Sequence, residues 1–133
     1  MKRPGKDQYY LEIARNVARR STCLRRQYGA VIVRDDVIVS TGYNGACRGE
    51  ANCSDVGECW RQMHGIPHGE RYELCKAVHA ECNAIINCNR EDMRSATLYL
   101  VGIEDGKRME NPEPCLMCVR MICNARIGKV VNG

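Results

Sequence analysis

The 133-residue sequence predicts an α/β fold in which a mixed β-sheet is covered by helices. Three observations predict it. Segments with apolar residues at helical spacing alternate with short β-branched runs. One of those runs, Gly29-Ala30-Val31-Ile32-Val33, is apolar almost throughout, as suits a strand buried on both faces. The tight turn Asp35-Asp36 then folds this run back on Val37-Ile38-Val39-Ser40-Thr41 as a hairpin. The length fits a single domain over residues 1–133 with a core of its own.

Asp7 reads as an N-cap, after which Tyr10, Ile13, Ala14, Val17 and Ala18 recur at helical spacing, and this helix ends near Arg20. Ser21 to Gln27 is polar and loop-like. Gly42-Tyr43-Asn44-Gly45 closes the hairpin in a glycine-flanked loop, and from there to His79 little periodicity is visible. A stretch of that length is usually functional or tied down. It holds Cys47, Cys53, Cys59, His64, His68 and Cys75, with short helical pieces expected around Cys59–Met63 and Glu70–Val78. His79 to about Asn89 reads as a helix with Ala84, Ile85 and Cys88 inward. Ala96–Val101 is a strand, Gly102–Pro114 a polar loop, Cys115 to about Asn124 a short helix, and Ile127–Val131 a closing strand.

Composition narrows the function. The formal charge is +4, with Arg15, Arg19, Arg20, Arg25 and Arg26 near the start. They form either a solvated face or a site for phosphate. With no Phe and one Trp, the chain offers few stacking platforms for a single strand, so nucleic acid is not an expected partner. No apolar run approaches the roughly 18 residues of a membrane span. The basic start, Met1 to Lys6, lacks a following signal-peptide core, so a cytoplasmic location is expected. The ten cysteines then read as reduced thiols, several of them holding metal.

The chemistry lies in two segments, His79-Ala80-Glu81 and Pro114-Cys115-Leu116-Met117-Cys118. Cys115 and Cys118, three apart at a helix start, lie on neighbouring positions of one turn, where the helix N-terminus lowers thiol pKa. With His79 they cancel the charge of a zinc ion and leave its fourth position open, which is the mark of a catalytic rather than a structural site. Taken singly, these residues are an ordinary helix start and a structural zinc or redox pair. Together they form the H-x-E…P-C-x-x-C signature of zinc nucleobase deaminases. Glu81 is the expected proton shuttle between the attacking water, the ring nitrogen and the leaving ammonia. Residues two apart in a helix interior point away from each other, so this reading needs the metal to lie off the helix end, where first-turn side chains converge.

On these residues the chain resembles the cytidine deaminase superfamily and, within it, the deoxycytidylate deaminases. Three blocks carry the likeness: Arg20-Ser21-Thr22-Cys23 leading into Gly29–Val33; Gly42-Tyr43-Asn44-Gly45 with Asn52-Cys53; and His79-Ala80-Glu81-Cys82-Asn83-Ala84-Ile85 with Pro114–Cys118. The resemblance implies a three-layer cytidine-deaminase-like fold. It implies hydrolytic deamination of dCMP to dUMP and ammonia through a zinc-bound hydroxide, in the supply of dTTP precursors. Other deaminases of the superfamily, acting on a nucleoside, a riboflavin precursor or tRNA adenosine, are the alternative, and a non-catalytic zinc module is a third reading. By the resemblance His79, Cys115 and Cys118 hold the catalytic zinc and Glu81 moves protons. Asn44 and the Ala80 backbone contact the nucleoside, and Arg26 and Tyr99 are candidates near the phosphate. The resemblance also implies a second, structural zinc on Cys23 and Cys53, completed from the insert by Cys59 and Cys75 or by His64 or His68. It further implies a homo-oligomer, a hexamer, with dCTP and dTTP as candidate effectors.

Overall fold

The computed structural model describes residues 1–67, 70–71 and 74–133. Helix α1 (Lys6–Ala18) precedes strands β1 (Arg26–Arg34) and β2 (Val37–Tyr43). The insert then contains a two-residue strand β3 (Gly45–Ala46), the one-turn helices α2 (Cys53–Val56) and α3 (Trp60–Met63), and β4 (Ala77–Val78), which pairs with β3. Next come α4 (Ala80–Ile86), α5 (Arg90–Met93), β5 (Thr97–Glu104), β6 (Lys107–Arg108), α6 (Leu116–Asn124) and β7 (Lys129–Asn132). The main sheet runs β2-β1-β5-β6, and β7 joins β5 in parallel while the other pairs are antiparallel. The expected mixed sheet is therefore present.

The period of two along β1 and β5 builds the layers. Ala30, Ile32, Leu98 and Leu100 share one core with Ala80, Ala84 and Ile122 of α4 and α6. Val31, Val33, Tyr99 and Val101 share the other with Tyr10 and Ala14 of α1. This gives three layers: α1, the sheet, then α4 with α6. The apolar run Gly29–Val33 of β1 has each face committed to a different helix layer, as its sequence predicts. At the hairpin turn Asp35 and Asp36 both take left-handed backbone, φ 51° and 63°. That is the type I′ geometry whose twist matches the flanking strands, and aspartate tolerates it.

Several boundaries differ from expectation for identifiable reasons. Gly5, not Asp7, is the N-cap of α1, and the Asp7 carboxylate instead accepts a hydrogen bond from the Tyr99 hydroxyl at 2.8 Å. Strand β1 starts at Arg26 because Arg26 and Gln27 pair with Glu104 and Ile103 of β5, so tertiary pairing overrides a polar, loop-like sequence. The segment expected as a helix over 70–78 ends as a strand, Ala77–Val78 on Gly45–Ala46, while 72–73 lie outside the described residues. The helix expected to run to Asn89 stops at Ile86, and the short α5 follows it. Among the described residues no helix is long and apolar enough to cross a membrane.

Two glycines set how closely helices approach the sheet. A Cβ on Gly29 would sit 2.1 Å from the Ala14 carbonyl oxygen of α1, and one on Gly42 would sit 2.4 Å from the Ala80 carbonyl oxygen and the Ala84 nitrogen of α4. These obstacles are backbone, which cannot rotate aside. Gly42→Ala is therefore expected to cost about 1–3 kcal/mol or more in urea denaturation, as an overpacked core does. A change under about 0.5 kcal/mol, typical of a surface site, would contradict the close approach.

Candidate metal centre and its pocket

His79 and Cys115 are both N-cap residues, with extended backbone (φ −68°, ψ 152° and φ −68°, ψ 168°) just before α4 and α6. An N-cap side chain leaves the helix at its end rather than from its side. The two helix starts, packed beside each other, thus aim their caps at one point. The ligand atoms of His79, Cys115 and Cys118 all lie within 4.8 Å of one another. His79 Nδ1 is the nitrogen turned to the sulfurs, 3.3 Å from Cys118 Sγ and 3.5 Å from Cys115 Sγ. The geometric condition set by the sequence, a centre off the helix end, is met.

Glu81 lies one residue inside the first turn of α4, is buried, and lines the same cavity as His79 and Cys115. Burial pushes its carboxyl above the ordinary 4.5, while its own backbone N–H, the His79 charge and a hydrogen bond with Cys118 pull the other way. The Cys118 thiol is pushed up, first by its hydrogen bond with Cys82, then by burial and the charge of Glu81. The same bond pulls Cys82 down. In the absence of a cation, the centre therefore resists carrying negative charge on Glu81 and Cys118.

The remaining predicted residues separate. Asn44 is buried and lines the cavity. Its Oδ1 accepts from Ser21 Oγ at 2.6 Å and from the Tyr28 N–H at 2.8 Å, and its Nδ2 donates to the Arg26 carbonyl at 2.9 Å. Arg26 also lines the cavity, but its Nε is bonded to the Glu104 carboxylate. Ala80 is fully buried in the core on the α4 side of the sheet. Tyr99 is a correction. It is not in this cavity but across the sheet, its ring 5.2 Å from that of Tyr10 and its hydroxyl on Asp7. On β5 it alternates with Leu98 and Leu100, which face α4, so the period of two sends it to α1.

Cys23, Cys59 and Cys75 line the same cavity. The Cys53 thiol is pushed up by burial and then by the neighbouring charges of Cys23, Cys75 and Cys59, so the four thiols come near one another. They do not close to the 4.8 Å spacing of the His79 set. His64 stacks on Trp60 at 4.0 Å and its Nδ1 contacts the Trp60 carbonyl, and His68 lies outside the described residues. Arg25 stands out in the sequence only as one of five arginines that form either a solvated face or a phosphate site. It lines the cavity and its buried Nη1 has no hydrogen-bond partner among the described residues. Nothing in the pair Arg25-Arg26 distinguishes them until β5 supplies Glu104 to one.

The model of the cytidine and deoxycytidylate deaminase zinc-binding region matches residues 4–133. The deoxycytidylate deaminase of Mycobacterium phage D29 is 42% identical over 98% of this chain and 96% of its own length. That of Schizosaccharomyces pombe is 36% identical over 97% of this chain, which spans 37% of the yeast protein. The crystal structure of the dCMP deaminase from cyanophage S-TIM5 with dCMP and dUMP shares the fold, with TM-score 0.68 and 23% identity over 99% of this chain and 83% of that one. With the match running almost end to end and taking in both helix starts of the His79, Cys115 and Cys118 centre, the chain belongs to the cytidine and deoxycytidylate deaminase family.

Proposed function

We propose that this chain hydrolyses dCMP to dUMP and ammonia, with zinc held by His79, Cys115 and Cys118. The carrying observation is the convergence of one imidazole and two thiols at two helix ends, with a buried carboxylate and a guanidinium whose buried Nη1 has no partner among the described residues in the same cavity. The donor set fits zinc: two sulfurs and one nitrogen, three protein ligands as in catalytic sites. When bound, the ion supplies Lewis-acid activation of the attacking water. Glu81 would accept a proton from that water and pass it to the pyrimidine ring nitrogen, then take the remaining proton of the added hydroxyl and deliver it to the departing amine as the C–N bond breaks. Its burial holds its pKa nearer the working pH, as such a shuttle needs. Asn44 has one amide N–H on the Arg26 carbonyl and its second available to the nucleoside. Arg25 supplies its unpartnered Nη1 to the 5′-phosphate, the role for which Arg26 and Tyr99 were the sequence candidates.

A second, structural zinc on Cys23, Cys53, Cys59 and Cys75 belongs to this proposal, supported by the mutual charge effect of these thiols on Cys53. Such a clip would stabilise the long insert by its binding energy. A cytoplasmic homo-oligomer with dCTP and dTTP as effectors completes the reading, supported by the family alone.

Glu81→Gln is expected to retain zinc and lose turnover on dCMP by roughly 10²–10⁴-fold. The same variant tests the burial argument in chelator-stripped protein. A carboxyl with a raised folded pKa binds its proton more tightly in the fold than in the unfolded chain, so stability falls as pH rises from about 4.5 through the folded value. Glu81→Gln removes that fall, and its stability curve should meet the parent curve at low pH and lie above it at neutral pH. Retained turnover would refute the shuttle.

Arg25→Gln is expected to lower kcat/KM for dCMP by about 10- to 100-fold, the worth of a hydrogen bond to a charged group, and to leave deoxycytidine unaffected. Equal losses on both substrates would exclude a phosphate contact. Metal analysis of the purified protein should give two zinc ions per chain and Cys53→Ser one, so one ion in the parent chain would remove the second site.

A further inference from the structure

Helices α4 and α6 start in the same way. His79 and Cys115 are their N-caps, and Cys82 and Cys118 are their third residues. The correspondence gives four side chains of metal-binding type, of which three form the centre. Cys82 stands outside that 4.8 Å cluster, yet its Sγ is 3.8 Å from Cys118 Sγ and 3.3 Å from Met121 Sδ. Cys82 is therefore placed behind one ligand rather than in the coordination sphere.

We infer that Cys82 is a positioning residue for the centre, its S–H donating a hydrogen bond to the Cys118 sulfur when that sulfur is a metal ligand. The inference rests on the reading of His79, Cys115 and Cys118 as the zinc site. A metal-bound sulfur is a thiolate and carries no proton, so between these two sulfurs only Cys82 can donate. The competing acceptor, Met121 Sδ, is a neutral thioether, and a thiolate is the stronger acceptor because the bond is charge-assisted. Met121 Sδ lies 3.3 Å from the Cys82 thiol. The bond draws electron density from one of two anionic ligands, which leaves the ion more electrophilic toward water. It also fixes the Cys118 rotamer, whose own residue is fully buried. Partners of this kind behind a ligand typically change metal affinity or activity 10- to 100-fold.

The test uses the whole chain loaded with cobalt(II), whose sulfur-to-metal charge-transfer bands report the electron density on the thiolates. Cys82→Ala is expected to move a band to lower energy and to weaken zinc affinity about 10-fold in chelator competition. Cys82→Ser keeps an O–H donor and should restore most of both. Any cobalt on Cys23, Cys53, Cys59 and Cys75 contributes equally to all three proteins and cancels in the difference spectra. Unchanged bands and affinity in Cys82→Ala overturn the inference, as does Cys82→Ser behaving like Cys82→Ala, which would mark a packing role. Loss of one sulfur from the zinc X-ray absorption shell of Cys82→Ala also overturns it, since Cys82 would then be a ligand. Parent protein without thiolate bands that depend on Cys118 would instead remove the zinc reading itself, and this inference with it.

Discussion

The bare backbone at Gly42 is the constraint on which the site depends. Only hydrogen at that position lets the Ala80 carbonyl and the Ala84 nitrogen of α4 lie against β2. The contact is then fastened along its length. Ser40 Oγ donates to the Ala84 carbonyl at 2.6 Å, Asn83 Nδ2 to the Tyr43 carbonyl at 2.8 Å, and Asn87 Nδ2 to the Thr41 carbonyl at 3.2 Å. Each bond ties α4 to the strand on which it lies, so the helix can neither slide nor roll. Its first residue, and with it His79, is fixed relative to the end of β2, where Asn44 follows. The position of His79 is thus set by the packing of α4 on the sheet.

Two helix N-termini meeting at one point concentrate partial positive charge where the side chains bring negative charge. The balance is incomplete without a cation. Burial raises Glu81, and the Cys82 hydrogen bond with burial raises Cys118, so the fold alone disfavours negative charge on both. A structure that only needed stability would place apolar groups there. The cost of burying a carboxyl and a thiol without matching charge is the physical sign of a site built around an ion, and perturbed groups of this kind gather where chemistry is done.

How much of this was legible in the sequence depended on whether a residue's role was local. The clustering of His79, Cys115 and Cys118 was legible because N-cap and first-turn positions follow from the helix start alone, and each of the three sits at one. The Asp35-Asp36 turn was legible for the same reason. Tyr99 was not, since which face it takes depends on the register of β5 with β1 rather than on its neighbours in sequence. Arg25 and Arg26 were indistinguishable because what sets Arg26 apart includes a partner, Glu104, brought from 78 residues away. The strand Ala77–Val78 was hidden likewise: it exists only because Gly45–Ala46 is there to pair with it.

The cysteines show the same division between local and tertiary roles. Cys123 and Cys47 are exposed, and Cys88 is half-buried with its thiol pushed up by burial. None of the three lines the cavity. Cys23, Cys59 and Cys75 line it on the side formed by the insert, although the sequence places them far apart. Their positions in the chain give that wall its importance. Cys23 is two residues before Arg25, and Cys75 is four before His79, so these thiols sit on the same short segments that carry the Arg25 guanidinium and the His79 imidazole. The insert, which contributes almost nothing to the two main cores, is coupled to the site through those two segments rather than through the sheet.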